Sequence, residues 1–438
     1  VRTFASNSVG LASGSVLTRV IAAVILILLA RRAGPGNYGL YAAAFALLRP
    51  TAVLFALGLD IWLLRNGNLG RKPQQLAIHT TTVLLIKLGL GGLWLLVVSS
   101  LAFWVNHPTF PPIILGLCAL CIWFEEITNT IWTSFKTLLE NWLSVVISVA
   151  IQLGWLGCTV LLFFWPVFTL LPYLLVQLAL TVLGALIAYR VWQRRIGWHF
   201  DRGQLLPTWR ATLPFGLSVF LAYLYGQADI VVVTYQLGSY AGGIYSSAST
   251  IVNGLSILPA AIYYVIVPML SQLLLRDLVA ARAMLKQQLW LAAGLGLLLG
   301  LATALIAAPL IPILLGAEYV ASSSVLLILA GVIAGRCLNM TAASALVAAN
   351  WQTQRLRVQL VVAALNIGLN LLIVQRWQIM GVAIVYVCTE WILALGYLWL
   401  LWRWQPRTPL PPPDMPPAHG PFDGETRRTS PPPKAVSG

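Results

Sequence analysis

Four basic residues, Arg19, Arg49, Lys87 and Arg336, stand inside runs otherwise made of apolar side chains. A guanidinium presents a planar fork of N–H donors that engages two oxygens of a phosphate or carboxylate at once, whereas an ammonium is a compact point charge. The chemistry open to such a set is recognition of an anion, and phosphate oxygens fit the fork well. Each charge costs on the order of 3 kcal/mol at the centre of a membrane helix, roughly 10 kcal/mol for the set, so something must offset them. Asp60, Glu125, Glu126, Asp229 and Glu390 are the acidic candidates. Two readings stand side by side: the bases are structural partners of these carboxylates, or they face a wet cavity and attract an anionic substrate. On the second reading the substrate-binding residues are Arg19, Arg49, Lys87, Arg336 and Asn253, with Lys87 also long enough to snorkel. Asp229 and Glu390 are candidates for carrying a coupling proton or cation, or else are buried carboxylates satisfied by Arg336 or a tyrosine.

Catalysis finds less support. Adjacent residues on a helix point about 100° apart, so Glu125 and Glu126 do not converge on one bond as an acid/base pair. No Ser/His/Asp set, phosphate-binding glycine loop, zinc signature or nucleotide-binding domain is visible, and His107, His199 and His419 fall in loops or the tail. All five cysteines lie in apolar stretches, where thiols behave as small hydrophobes. Cys118 and Cys121 share a helix face but have no second pair or histidine cluster, so neither a metal nor a disulfide framework is expected. The expectation is a protein that is not an enzyme and uses no cofactor.

The elements that carry these charges must lie in a bilayer. With 59% hydrophobic and 9% charged residues, and a mean hydropathy of +0.85, the chain cannot present the polar surface of a soluble globule. Apolar segments able to cross a hydrocarbon core of about 30 Å recur near 9–30, 39–62, 76–104, 112–134, 142–165, 168–192, 215–237, 243–268, 289–314, 320–349, 356–375 and 381–402. They predict an all-α polytopic membrane protein of twelve helices. The first run is too long for a signal peptide and carries Arg19, so it reads as a retained helix. A net charge of +15 would suggest nucleic acid in a soluble protein, but here its distribution encodes topology. Lys and Arg collect after even helices, as at Arg65, Arg71 and Lys72, at Arg190 to Arg210, and at Arg276, Arg282 and Lys286. The positive-inside rule then places both termini in the cytoplasm.

The octapeptide Gly34-Pro35-Gly36-Asn37-Tyr38-Gly39-Leu40-Tyr41 returns without a gap as Gly238-Ser239-Tyr240-Ala241-Gly242-Gly243-Ile244-Tyr245. Two similar helix pairs therefore open two similar halves, about 204 residues apart. Six helices per half relate the halves by an axis along the membrane normal. The organisation expected is a first six-helix bundle over 1–193, a basic cytoplasmic linker over 194–214, a second bundle over 215–402 and a disordered proline-rich cytoplasmic tail over 403–438. The stretch 271–288 reads as an amphipathic helix on the cytoplasmic surface, with Leu274, Leu278, Ala281 and Leu285 against Arg276, Arg282 and Lys286. Within the repeat register Arg49-Pro50 falls on Asn253-Gly254. Matched breaks in two halves point to a transport site, because irregular backbone at membrane depth survives where it faces a cavity or protein.

The stretch from Leu29 to Tyr41, followed by Gly58-Leu59-Asp60 and Arg65, resembles the opening of polysaccharide flippases of the multidrug/oligosaccharidyl-lipid/polysaccharide exporter superfamily. The second copy, with Asp229 before Gly238 and Tyr245 after it, is similar to that family's seventh and eighth helices, and the likeness covers roughly 1–402. The resemblance implies two six-helix bundles forming a V around a cavity that opens alternately to each side. It also implies a cargo of undecaprenyl-pyrophosphate-linked oligosaccharide, flipped across the bacterial inner membrane for cell-surface polysaccharide synthesis. Polysaccharide polymerase or chain-length machinery are the protein partners it suggests, and nucleic acid is not one. Relatives that flip the peptidoglycan precursor carry arginines in helices 1 and 2, where Arg19 and Arg49 stand by helix and not by residue. The rivals are a cation-coupled antiporter of the same fold, which would favour an acidic cavity, and a membrane glycosyltransferase or polymerase, for which the external loops are too short.

Overall fold

The computed structural model describes residues 2–67, 73–138, 140–256, 266–267, 269–274, 276–349 and 351–403. Among them the long elements are all helices: α1 (Arg2–Ala56), α2 (Leu59–Asn66), α3 (Pro73–Val105), α4 (Pro112–Thr137), α5 (Asn141–Phe163) and α6 (Leu170–Arg195). They continue as α7 (Leu205–Leu237), α8 (Ser239–Leu255), α9 (Leu278–Leu315), α10 (Val320–Ala348) and α11 (Gln352–Arg403). Seven of them, α3 to α6 and α9 to α11, are long and apolar enough to cross a membrane.

Two helices are far longer than a bilayer needs. At about 1.5 Å per residue a helix of 50 residues runs some 75 Å, against a hydrocarbon core of about 30 Å. Each is broken by one residue: Gly34 in α1 (φ 71°, ψ 167°) and Gln378 in α11 (φ 50°, ψ −147°). Gly238, between α7 and α8, has φ 89° and ψ 169°. Gly34 and Gly238 are matched positions of the repeat, so the duplicated sequence encodes one backbone turn twice. That region of φ/ψ is essentially reserved for glycine, because a Cβ would clash there.

The two copies of the motif also pack on each other. A Cβ on Gly39 would lie 1.8 Å from the carbonyl oxygen of Ser239, and one on Gly243 would lie 1.9 Å from that of Pro35. Only glycine lets α1 and α8 come this close. Around the contact, Tyr38 and Thr250 share a hydrogen bond at 3.1 Å, and the Tyr319 hydroxyl donates to Ala30 O at 2.9 Å. Arg31 donates to Ile313 O, and Arg32 donates to Trp165 O and Pro166 O, tying the end of the first α1 segment to α9 and to the α5–α6 turn.

Several expectations need correction. Pro50 does not break its helix, which continues to Ala56; the break comes at Leu57 (φ 44°) and Gly58 (φ 70°). Asn253 and Gly254 lie in the last turn of α8, which ends at Leu255, and residues 257–265 beyond it lie outside the described residues. A proline is accommodated when neighbouring helices and side chains satisfy the freed backbone groups. Within the stretch 194–214, α6 runs to Arg195 and α7 begins at Leu205, so part of it is helical. The amphipathic stretch is not a separate surface helix throughout: α9 starts at Leu278, with the Asp277 side chain accepting from Val279 N and Ala280 N, and continues into the apolar span. Its sidedness does hold, with Leu274 and Ala281 buried while Arg276, Arg282 and Lys286 are exposed. The expected disorder of the tail falls on residues 404–438, which lie outside the described residues.

Candidate substrate cavities

Helices α1, α4, α5 and α6 enclose a cavity of about 460 Å³ within the first half. Both segments of α1 reach it, the first through Thr18 and the second through Tyr41 and Arg49. Arg49 Nη2 lies 3.1 Å from Glu125 Oε2 on α4, and the two side chains remain 39% and 31% exposed. The Arg49 guanidinium also stands 5.4 Å over the Phe45 ring. One carboxylate therefore occupies only part of its donor fork. Arg19 is exposed and sits next to Thr18, and it forms no ion pair among the described residues.

Lys87 is placed differently. It is fully buried, with Nζ 2.8 Å from Asp60 Oδ2 and 2.8 Å from Glu126 Oε2. Thr130 Oγ1 donates to the other oxygen of Asp60 at 2.7 Å. This ammonium is enclosed between α2, α3 and α4, and its charge is already matched by two carboxylates. The adjacent glutamates diverge as helical geometry requires, Glu125 towards Arg49 and Glu126 towards Lys87.

The second half has its own polar cavity, of about 530 Å³, between α7, α8, α10 and α11. Arg336 Nη1 donates to Asn253 Oδ1 at 2.7 Å and to Ser256 Oγ at 3.1 Å, and Nη2 donates to the Tyr386 hydroxyl. Glu390 Oε2 lies 3.5 Å from Arg336 and accepts from the Tyr225 hydroxyl at 3.0 Å, while Asn339 Nδ2 donates to Oε1 at 2.7 Å. With side chains 12% and 4% exposed, Arg336 and Glu390 are a buried, hydrogen-bonded pair. Asp229 stands apart from them. It is buried, accepts from the Tyr245 hydroxyl at 3.0 Å and from Asn370 Nδ2 at 2.7 Å, and has no ion-pair partner among the described residues. Asn370 in turn donates to Asn366, and Asn366 to Thr389, so the carboxylate ends a chain of buried amides and a hydroxyl.

The structure thus joins Asn253, Arg336 and Glu390 in one site, puts Arg49 on the wall of another, and sets Lys87 and Asp229 in enclosures of their own. Sequence reasoning passed over Gln152 and Gln177, which line the first cavity, and Tyr225, Arg355 and Gln359, which line the second. A signal for the first two was present, because each is the single amide in its apolar run, 142–165 and 168–192. Among the described residues no group of three or more His, Cys, Asp or Glu side chains is placed to hold a metal ion.

Over residues 4–274 the chain matches the family model described as polysaccharide biosynthesis protein. No curated protein matches the sequence. Among solved structures the chain resembles the lipid II flippase MurJ in its inward closed conformation, at 15% identity and a TM-score of 0.70, over 90% of this chain and 87% of that one. It resembles a eukaryotic MATE transporter at 12% identity and a TM-score of 0.66, over 92% of this chain and 97% of that one. An inward-facing multidrug resistance MATE transporter of the MOP superfamily aligns at 16% identity and a TM-score of 0.63, over 88% of this chain and 94% of that one. Identities this low establish a shared fold and leave the function to be argued from the site.

Proposed function

The chain belongs to the family of polysaccharide biosynthesis proteins, and from that membership we propose that it flips an undecaprenyl-pyrophosphate-linked oligosaccharide across the bacterial inner membrane. Twelve spans in two six-helix bundles, 1–193 and 215–402, would carry the cargo by alternating access, with both termini in the cytoplasm. The observation that carries this reading is Arg49. Its guanidinium, on the second segment of α1, lines a cavity with several polar side chains, stays 39% exposed and is held by a single carboxylate. Pyrophosphate oxygens can take the place of Glu125 on the fork, a bidentate match that lysine does not offer. Arg19, on the first segment of the same helix and next to the cavity-lining Thr18, would supply a second positive charge to the site.

On this reading Arg336 and Asn253 shape the second cavity, and Lys87 positions α2, α3 and α4 behind the first. Asp229 is the better candidate for a coupling proton or monovalent cation, because no cationic side chain compensates it among the described residues, whereas Glu390 is paired. One observation favours the rival antiporter reading: Glu125 cancels the charge of Arg49, so the first cavity is less cationic than its arginine suggests.

The test is accumulation of lipid-linked saccharide on the cytoplasmic leaflet, scored beside protein abundance in the membrane. Arg49→Ala is expected to cut flipping by at least about tenfold, the loss of roughly one charge-assisted interaction, and Arg49→Lys by less, with both proteins at native abundance. Native flipping by a well-folded Arg19→Ala, Arg49→Ala double variant would sink the proposal. Drug export without any saccharide phenotype would favour the antiporter.

A further inference from the structure

The first-half cavity is built for more than an anion. Its two charged lining residues are paired with each other at 3.1 Å, so they add no net charge to it. Its other polar residues are amides and hydroxyls, among them Thr128, Asn129, Gln152, Gln177 and Thr181. A side-chain amide both donates and accepts, as does a hydroxyl, which suits a ligand carrying several neutral groups that do the same.

Two of these amides are incomplete. Oε1 of Gln152 and Oε1 of Gln177 are buried and have no hydrogen-bond partner, and Gln177 is only 3% exposed. A buried acceptor left unmade is unfavourable, so a ligand that supplies a donor is bound with that deficit relieved. The two come from different helices, α5 and α6, and converge on the same cavity. The same cavity is lined by Ile151, Trp155 and Leu180, apolar surface of the kind that packs against the C–H face of a pyranose ring. Asn129 on α4 is exposed, and its side chain makes no hydrogen bond among the described residues.

We propose that this cavity is a saccharide subsite, in which Gln152, Gln177 and Asn129 hydrogen-bond the hydroxyl or acetamido groups of a lipid-linked sugar and Trp155 packs on its ring. The inference rests on the flippase reading and adds to it a set of specificity residues distinct from the arginines. Sugar identity is read by the amides of α4, α5 and α6, while Arg49 holds the pyrophosphate at the edge of the same space.

The experiment measures binding to the full chain in lipid nanodiscs by titration calorimetry. The probes are farnesyl pyrophosphate and farnesyl-pyrophosphate-linked N-acetylglucosamine, glucose and galactose. At least one sugar-bearing probe is expected to bind about tenfold more tightly than farnesyl pyrophosphate, the increment of one or two buried hydrogen bonds. Gln177→Met should remove most of that gain and leave the affinity for farnesyl pyrophosphate within about twofold. Gln152→Met, at a less buried position, should act in the same direction and covers the case in which the Gln177 variant fails to fold. Sugar-bearing probes that bind no more tightly than farnesyl pyrophosphate, or variants that weaken every probe equally, would overturn the subsite and leave the flippase reading intact. A native chain that binds none of the four probes overturns both. Ethidium binding that Gln177→Met abolishes would assign the cavity to organic cations instead.

Discussion

Matched positions in the two halves carry the same helix contact with different chemistry. In the first half Arg49 on α1 meets Glu125 on α4; in the second its counterpart Asn253 on α8 meets Arg336 on α10. The scaffold has kept the meeting of the second and fourth helices of each half and moved the cation from one helix to the other. Their surroundings differ as well. Arg49 is part-exposed with one carboxylate, while Arg336 is 12% exposed and shared among Asn253, Ser256, Tyr386 and Glu390. A cation with unused donors beside a cavity can accept a ligand, and one whose two terminal nitrogens are both engaged by neighbouring helices holds those helices together. The first half adds a second, fully enclosed cation in Lys87, so each half has a structural charge; of Arg49, Lys87 and Arg336, Arg49 is the loosely held one, while in the second half that place falls to Arg355, which lines the cavity with an unpartnered Nε.

The largest test of that contrast is Lys87→Met. Removing the ammonium leaves Asp60 and Glu126 facing each other without compensation, and breaking a buried pair of this kind costs about 3–5 kcal/mol. Folded protein in the membrane should fall sharply, and neutralising Glu126 in the same chain should restore part of it. Native abundance of Lys87→Met would mean that the triad is not structural. Next in size is Arg336→Met, expected to cost about 3 kcal/mol because Glu390 is left buried with only neutral partners. Its readout is a lower melting temperature of the purified protein in detergent. If Arg336→Met melts with the native chain, the second-half cation is as free as the first and the asymmetry collapses. Arg49→Met is the smallest, at most about 1 kcal/mol, since a part-exposed pair contributes little. A melting shift as large as that of Arg336→Met would recast Arg49 as a structural residue.

Much of this architecture is legible in the residues. Gly34 and Gly238 announce the same turn because the turn admits little else, and Gly39 with Gly243 marks the close crossing of α1 and α8. The pairing of intramembrane bases with acids could be anticipated from the charge each would otherwise leave in lipid. Which acid meets which base could not: Arg49 had Asp60, Glu125 and Asp229 as candidates, and tertiary packing alone selects Glu125. Gln378 was equally hidden, a turn taken by a residue with a Cβ at φ 50° and carrying no local signature. Pro50 misled in the opposite direction, since a residue that disfavours helices in isolation is carried through when its neighbours supply the missing support. The buried amides were passed over because a lone glutamine in an apolar run reads as a small blemish in hydropathy, and only the fold reveals that two of them share a cavity.

The crossing of the two motifs has a meaning for descent. Gly39 approaches Ser239, and Gly243 approaches Pro35, which are the same two motif positions with the copies exchanged. Reciprocity of this kind is the mark of an isologous interface between identical subunits. The single chain therefore holds, in its most crowded contact, the geometry of a symmetric dimer of half-length proteins. Elsewhere the halves have been free to drift, as Arg49 and Asn253 show. Here neither copy can change alone, because each is the mould into which the other is pressed.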